Sequence, residues 1–91
     1  MRNAEHANFE RLLDAHRGIV LKIAAVYARS REDRRDLEQE ICTQAWRSFR
    51  RYDATRAKFS TWLYRVALNV AISQLRSAQA VLGEIARFER E

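Results

Sequence analysis

The sequence predicts an all-α domain of three principal helices with a short C-terminal helical tail. Three observations carry that prediction. The 91 residues include no proline and only two glycines, so the strongest helix breakers are almost absent. The chain is rich in Ala, Leu, Arg and Glu, which favour helix. Apolar residues recur at steps of three and four, the period of an amphipathic helix rather than of a strand. The length suits one small domain with a modest core. At 47% hydrophobic residues the composition is that of a folding chain, not a disordered tail.

The first helix is expected from about Ala4 to Ala28. Phe9, Leu12, Leu13, His16, Ile19, Val20, Ile23 and Tyr27 follow the helical period and mark its core face. Gly18 falls inside it, less favourable than Ala by about 1 kcal/mol, and suggests a bend or a close helix contact. Ser30 interrupts the pattern. Ser30-Arg31-Glu32-Asp33 resembles an N-cap with an acid three residues on, so a second helix begins between Ser30 and Asp33 and runs to about Arg51. Leu37, Ile41, Ala45 and Ser48/Phe49 follow its core side with Trp46 beside them, and Asp36, Gln39, Glu40 and Thr43 follow another side. Periodicity fails from Tyr52 to Ser60, a loop holding the turn-formers Asp53 and Thr55. Ser60 reads as the N-cap of a third helix reaching at least Arg76, with Trp62, Leu63, Val66, Ala67, Val70, Ala71 and Leu75 as core contacts. Leu68 and Ile72 widen its apolar belt and make it the most buried element expected. Val81, Ile85 and Phe88 continue an apolar line that either prolongs this helix or forms a short fourth one.

Several function classes drop out. No apolar run approaches the roughly 18 residues of a membrane span, and no apolar signal-peptide core follows Met1, so the cytoplasm is the expected location. Cys42 is the only cysteine and forms no intrachain disulfide. His6 and His16 have no ligand spacing for a metal, and no cofactor is expected. No nucleophile–base pairing or Gly-rich phosphate loop is present, and Asp36 with Glu40 lies on one exposed turn with nothing to raise a pKa, so no enzyme activity is expected.

What remains is a charge map and a stripe. The formal net charge is +5. Between Glu32 and Glu40, five acids face two arginines; between Arg47 and Arg76, seven bases face the single acid Asp53. Two different partner surfaces are plausible on that division, though the acids also suit a solvated helix face. In the third helix, Thr61, Arg65, Asn69, Ser73 and Arg76 fall on one face by their spacing. Around it, Phe49, Tyr52, Phe59, Trp62 and Tyr64 interleave with Arg50, Arg51, Arg56, Lys58 and Arg65, and of these aromatics Trp62 and Phe59 are expected in the core. Cations that track a backbone and aromatics that hold bases are the chemistry of single-stranded nucleic-acid binding, with an ordinary charged surface as the alternative.

The wording of three blocks narrows the choice. Asp36-Leu37-Glu38-Gln39-Glu40-Ile41, then Ala45-Trp46-Arg47-Ser48-Phe49, then Phe59-Ser60-Thr61-Trp62-Leu63-Tyr64-Arg65-Val66-Ala67-Leu68-Asn69 resemble region 2 of bacterial RNA polymerase sigma factors. The likeness is to the extracytoplasmic-function group of the sigma-70 family and spans roughly Phe9 to Arg76. It implies a three-helix sigma region 2 bundle acting in transcription initiation. It implies that Asp36, Gln39, Glu40, Thr43 and Arg47 meet the clamp helices of the polymerase β′ subunit. It implies that the loop and third helix recognise the promoter −10 element as single-stranded non-template DNA, with one base flipped into a pocket between them. The DNA-binding residues so implied are Tyr52, Arg56, Lys58, Phe59, Ser60, Thr61, Arg65, Asn69, Ser73 and Arg76. Asn69 and Ser73 would face the pocket, and Arg65 and Arg76 would reach phosphate.

The resemblance also sets boundaries: residues 1–77 as the region 2 domain and 78–91 as the start of an interdomain linker. The second, −35-reading domain usual in this group (region 4) is absent, which fits a fragment of a longer sigma factor. A regulatory anti-sigma factor is a further expected partner. A sigma-like module that binds an anti-sigma factor without DNA is the alternative; it would shed the loop cations, yet Arg56, Lys58 and Arg65 are present. A duplex-DNA repressor fits worse, because the loop is too long and the helix after it too apolar.

Overall fold

The computed structural model describes residues 2–90, with side chains described from Ala4 onward; Met1 and Glu91, the outer ends of the two expected segments, lie outside the described residues. Among these residues all regular structure is helical: α1 (Arg2–Ala15), α2 (Arg17–Tyr27), α3 (Arg31–Ser48), a 3-10 turn (Phe49–Arg51) and α4 (Phe59–Arg90).

The expected first helix is two helices. His16 leaves the helical region at φ −120° and ψ 19°. Its amide bonds both the Leu12 carbonyl at 3.2 Å and the Leu13 carbonyl at 3.1 Å, a tightened last turn for α1. The His16 ring supports the break, with Nδ1 2.8 Å from the Leu12 carbonyl oxygen. The interruption takes one residue, so the apolar period runs on across it and conceals it. Gly18 is neither the break nor a close contact, since a Cβ there would meet nothing within 4 Å.

α3 begins as its sequence indicates. The Ser30 hydroxyl accepts from the Asp33 amide at 3.1 Å, a cap contributing about 1 kcal/mol. Glu32 and Asp33 lie in the first turn, where the positive end of the helix dipole favours them. The α-helix stops at Ser48, and the 3-10 turn carries the chain to Arg51.

The start of α4 departs from expectation. The Trp62 amide bonds the Lys58 carbonyl at 3.1 Å, so Lys58 opens the helix and Ser60 lies inside its first turn. The loop therefore closes at Lys58. With no proline and no left-handed residue, nothing stops α4, and it absorbs the expected tail into one helix of 32 residues.

The core is a small set of lines at helical spacing. α3 gives Leu37, Ile41 and Ala45; α4 gives Phe59, Leu63, Ala67 and Ala71; α2 gives Val20, Ile23 and Ala24. Alanines at 24, 45, 67 and 71 leave room for helix backbones to approach. α1 joins through Phe9 and Leu13. Of the other expected α4 contacts, Trp62, Val66, Val70 and Leu75 are half-buried. Only the first half of α4 is core: every residue from Arg76 to Arg90 is exposed.

Candidate nucleic-acid interface

The loop between Arg51 and Phe59 is shaped by its own side chains. Asp53 Oδ1 accepts from the Thr55 amide at 2.9 Å and from the Thr55 hydroxyl at 2.6 Å, the turn for which short polar side chains are suited. Those bonds hold the Asp53 carboxyl below its ordinary range. The Asp53 carbonyl accepts from the Arg56 amide at 3.0 Å, and Arg56 Nε lies 3.7 Å from Asp53 Oδ2. The loop returns to the body through Tyr52, whose hydroxyl donates to the Ala57 carbonyl at 2.9 Å.

Beneath it lies an aromatic cluster. Tyr52 stacks on Phe49 at 6.0 Å with 18° between planes and meets Phe59 edge-on at 5.7 Å. Trp62 lies 5.1 Å from Tyr52 and 5.4 Å from Phe59. Phe9 of α1 and His16 close the far side, at 5.1 Å from Phe49 and 5.2 Å from Phe59. Such pairs add about 0.5–1.5 kcal/mol each beyond area burial. The cluster seats the loop on α1 and α4 together.

This placement sorts the residues expected at DNA. Thr61, Arg65, Asn69, Ser73 and Arg76 are all exposed, down the side of α4 away from the buried Phe59–Leu63–Ala67–Ala71 line. Arg56 and Lys58 are exposed on the loop, and Ser60 is half-buried. Tyr52 is half-buried and engaged in the cluster. Phe59 is the correction: at 6% exposure it is a packing residue with no surface to offer. Its neighbours Arg56 and Lys58 are exposed, but its ring points into the cluster.

The electrostatics are one-sided. Arg47, Arg50, Arg51, Arg56, Lys58, Arg65 and Arg76 are all exposed, and among the described residues only Arg56 has an acidic partner. An unpaired cation on a helix or ordered loop is free to meet phosphate.

The residues expected at polymerase all lie on α3, off its buried line. Asp36, Gln39 and Arg47 are exposed; Glu40 and Thr43 are half-buried. Gln39 borders a groove against α2, and Arg47 borders a shallow one beside Glu5 of α1. Asp36 and Glu40 border two grooves against α4.

One of those grooves holds Asn69 and Ser73. It has a volume of about 370 Å³ and runs between α3 and α4, with Val66 and Val70 as its apolar part. Its other wall is Glu40, Gln44 and Ser48 of α3, and no residue of the loop lines it. Sequence reasoning paired Asn69 and Ser73 with the loop and passed over Gln44 and Ser48. The four-residue steps from Glu40 to Gln44 to Ser48 put a polar row on one side of α3, but which helix that row faces is fixed only by packing.

Cys42 is half-buried between α2 and α3, and burial pushes its thiol up, with the Arg17 guanidinium opposing. Among the described residues no helix is long and apolar enough to cross a membrane, and no His, Cys, Asp and Glu group could hold a metal ion.

No match is found among curated proteins or among solved structures. The model of one family, Sigma-70 region 2, matches residues 12–81; its members serve in transcription initiation and bind the RNA polymerase core and promoter DNA. The match runs from the end of α1 through α2, α3 and the loop, and past the last buried residue of α4. It takes in every element that builds this surface, and the chain belongs to the Sigma-70 region 2 family.

Proposed function

We propose that this domain docks on the β′ clamp helices of RNA polymerase and captures the promoter −10 element as single-stranded non-template DNA, in the manner of the extracytoplasmic-function group. The observation that carries the reading is the exposed row Thr61, Arg65, Asn69, Ser73 and Arg76, backed along the same helix by the buried row Phe59, Leu63, Ala67 and Ala71. The buried row fixes the helix, so the exposed row meets a ligand already in register. Arg65, Arg76 and the loop cations Arg56 and Lys58 follow phosphates. Asn69 reads a base edge, since its amide both donates and accepts, and Ser73 lies beside it. Melting follows from tighter binding to the open strand than to the duplex; no bond in DNA is broken. Asp36, Gln39, Glu40, Thr43 and Arg47 form the polymerase side.

In this reading residues 1–77 are the working domain and 78–91 lead into a linker. The protein works in the cytoplasm under an anti-sigma factor. The anti-sigma-only alternative leaves the loop cations unexplained.

Fluorescence titration with non-template −10 oligonucleotides, with and without a β′ clamp-helix fragment, tests the reading. Binding is expected at low salt and tighter with the clamp helices present. Arg65→Ala lowers affinity on every sequence and reduces the salt slope by about one unit; Asn69→Ala instead flattens sequence preference. Absence of binding to both DNA and clamp helices at low salt removes the reading.

A further inference from the structure

The groove between α3 and α4 gives Glu40 a position that its place in the polymerase-binding set does not explain. Glu40 is half-buried and shares the groove with Gln44, Ser48, Asn69 and Ser73. Its Oε1 accepts from Gln44 Nε2 at 2.9 Å, one turn along the same side of α3. Among the described residues its other oxygen has no hydrogen-bond partner, and no cation pairs with it. A carboxylate so placed repels a phosphate and attracts an N–H group. Across from it stands Asn69, flanked along α4 by the exposed cations Arg65 and Arg76. A strand tracked by those cations would present its backbone to them and its base edges to the groove. Val66 and Val70 supply apolar surface for the face of a ring.

We propose that Glu40 is a base-selecting residue: its free carboxylate oxygen accepts from the exocyclic amine of an unstacked base held between α3 and α4. This rests on the reading that the domain binds single-stranded promoter DNA. A carboxylate only accepts, and carboxylates pair in this way with the amine of cytosine. Adenine and cytosine carry an amine at the corner where guanine and thymine carry a carbonyl oxygen. The amine donates to Glu40 and leaves its neighbouring ring nitrogen for the Asn69 amide. The carbonyl sets two acceptors against each other. The ligand class is therefore a single-stranded DNA base bearing an exocyclic amine at that corner.

The test uses the full chain and a non-template oligonucleotide in which one position at a time is varied through the four bases. At one position the wild-type protein is expected to bind adenine and cytosine about tenfold tighter than guanine and thymine. Glu40→Gln keeps the side-chain size but adds a donor, and levels the four bases there. Glu40→Ala removes the acceptor and does the same. Base preference is read on the domain without clamp helices, so any loss of clamp-helix affinity at Glu40 does not enter it, and Asp36→Asn, a change at the polymerase side alone, leaves base preference intact. If both Glu40 variants keep the wild-type preference, Glu40 does not read a base and the proposal is overturned, while the DNA-binding reading stands. If the wild-type protein binds no oligonucleotide, with or without clamp helices, that reading falls and the proposal with it.

Discussion

From Phe59 to Leu75, α4 turns its apolar row into core; from Arg76 to Arg90 the same helix leaves Val81, Ile85 and Phe88 in solvent, Phe88 at 81% exposure. Both halves carry apolar residues at helical spacing. The difference lies in the neighbours. A 32-residue helix spans about 48 Å, whereas the 18 residues of α3 span about 27 Å. α2 ends at Tyr27 and α3 begins at Arg31, and together they flank α4 only up to the groove lined by Leu75, Ala78 and Leu82. Past that point no described element runs beside it. Periodicity names a face; the lengths of the other helices decide how much of it is covered.

That contrast can be broken by substitution. Leu63 is fully buried, and Leu63→Ala is expected to lower unfolding free energy by about 2–5 kcal/mol, read from urea midpoints. A smaller loss there means that the front of α4 is loosely packed. The glycines come next. Gly18 and Gly83 both have open space where a Cβ would stand. Gly18→Ala, in a packed helix, should raise global stability by up to about 1 kcal/mol. Gly83→Ala should raise helical circular dichroism while leaving the urea midpoint in place. Phe88→Ala should change stability by no more than about 0.5 kcal/mol, and a core-sized loss would show that the second half of α4 is packed after all.

The smallest effect is at the loop. The Thr55 bonds hold Asp53 below its unfolded carboxyl range, so their contribution is fully present above that range and fades as pH falls through the depressed value. Hydrogen exchange at the Thr55 amide should quicken in strong acid relative to its neighbours, and Asp53→Asn should remove that pH dependence.

The fold was legible where local chemistry and period agree. Ser30 with Asp33 marked the start of α3, and the spacing of Leu37, Ile41 and Ala45 marked its buried side. Ser60 misled because a serine followed by an apolar run looks like a cap whether it precedes the helix or sits in its first turn. His16 was hidden because a one-residue break barely disturbs the period. The exposed row from Thr61 to Arg76 could be read from spacing alone. Phe59 allowed two readings, core packing and contact with DNA, because an aromatic beside two loop cations suits either, and its burial decides for the core. The groove was out of reach for a further reason, since opposing Asn69 with Glu40 requires knowing how α3 and α4 rotate against each other.

The aromatic cluster bears on the thermodynamics of binding. Seven residues from Tyr52 to Lys58 link the 3-10 turn to α4 without a glycine, braced from within by Asp53 and clamped at both ends by Tyr52 and Phe59. Their conformational entropy is lost when the chain folds, not when a strand arrives. A ligand meeting this surface finds a preorganised template, and less of its binding energy is offset by ordering the protein.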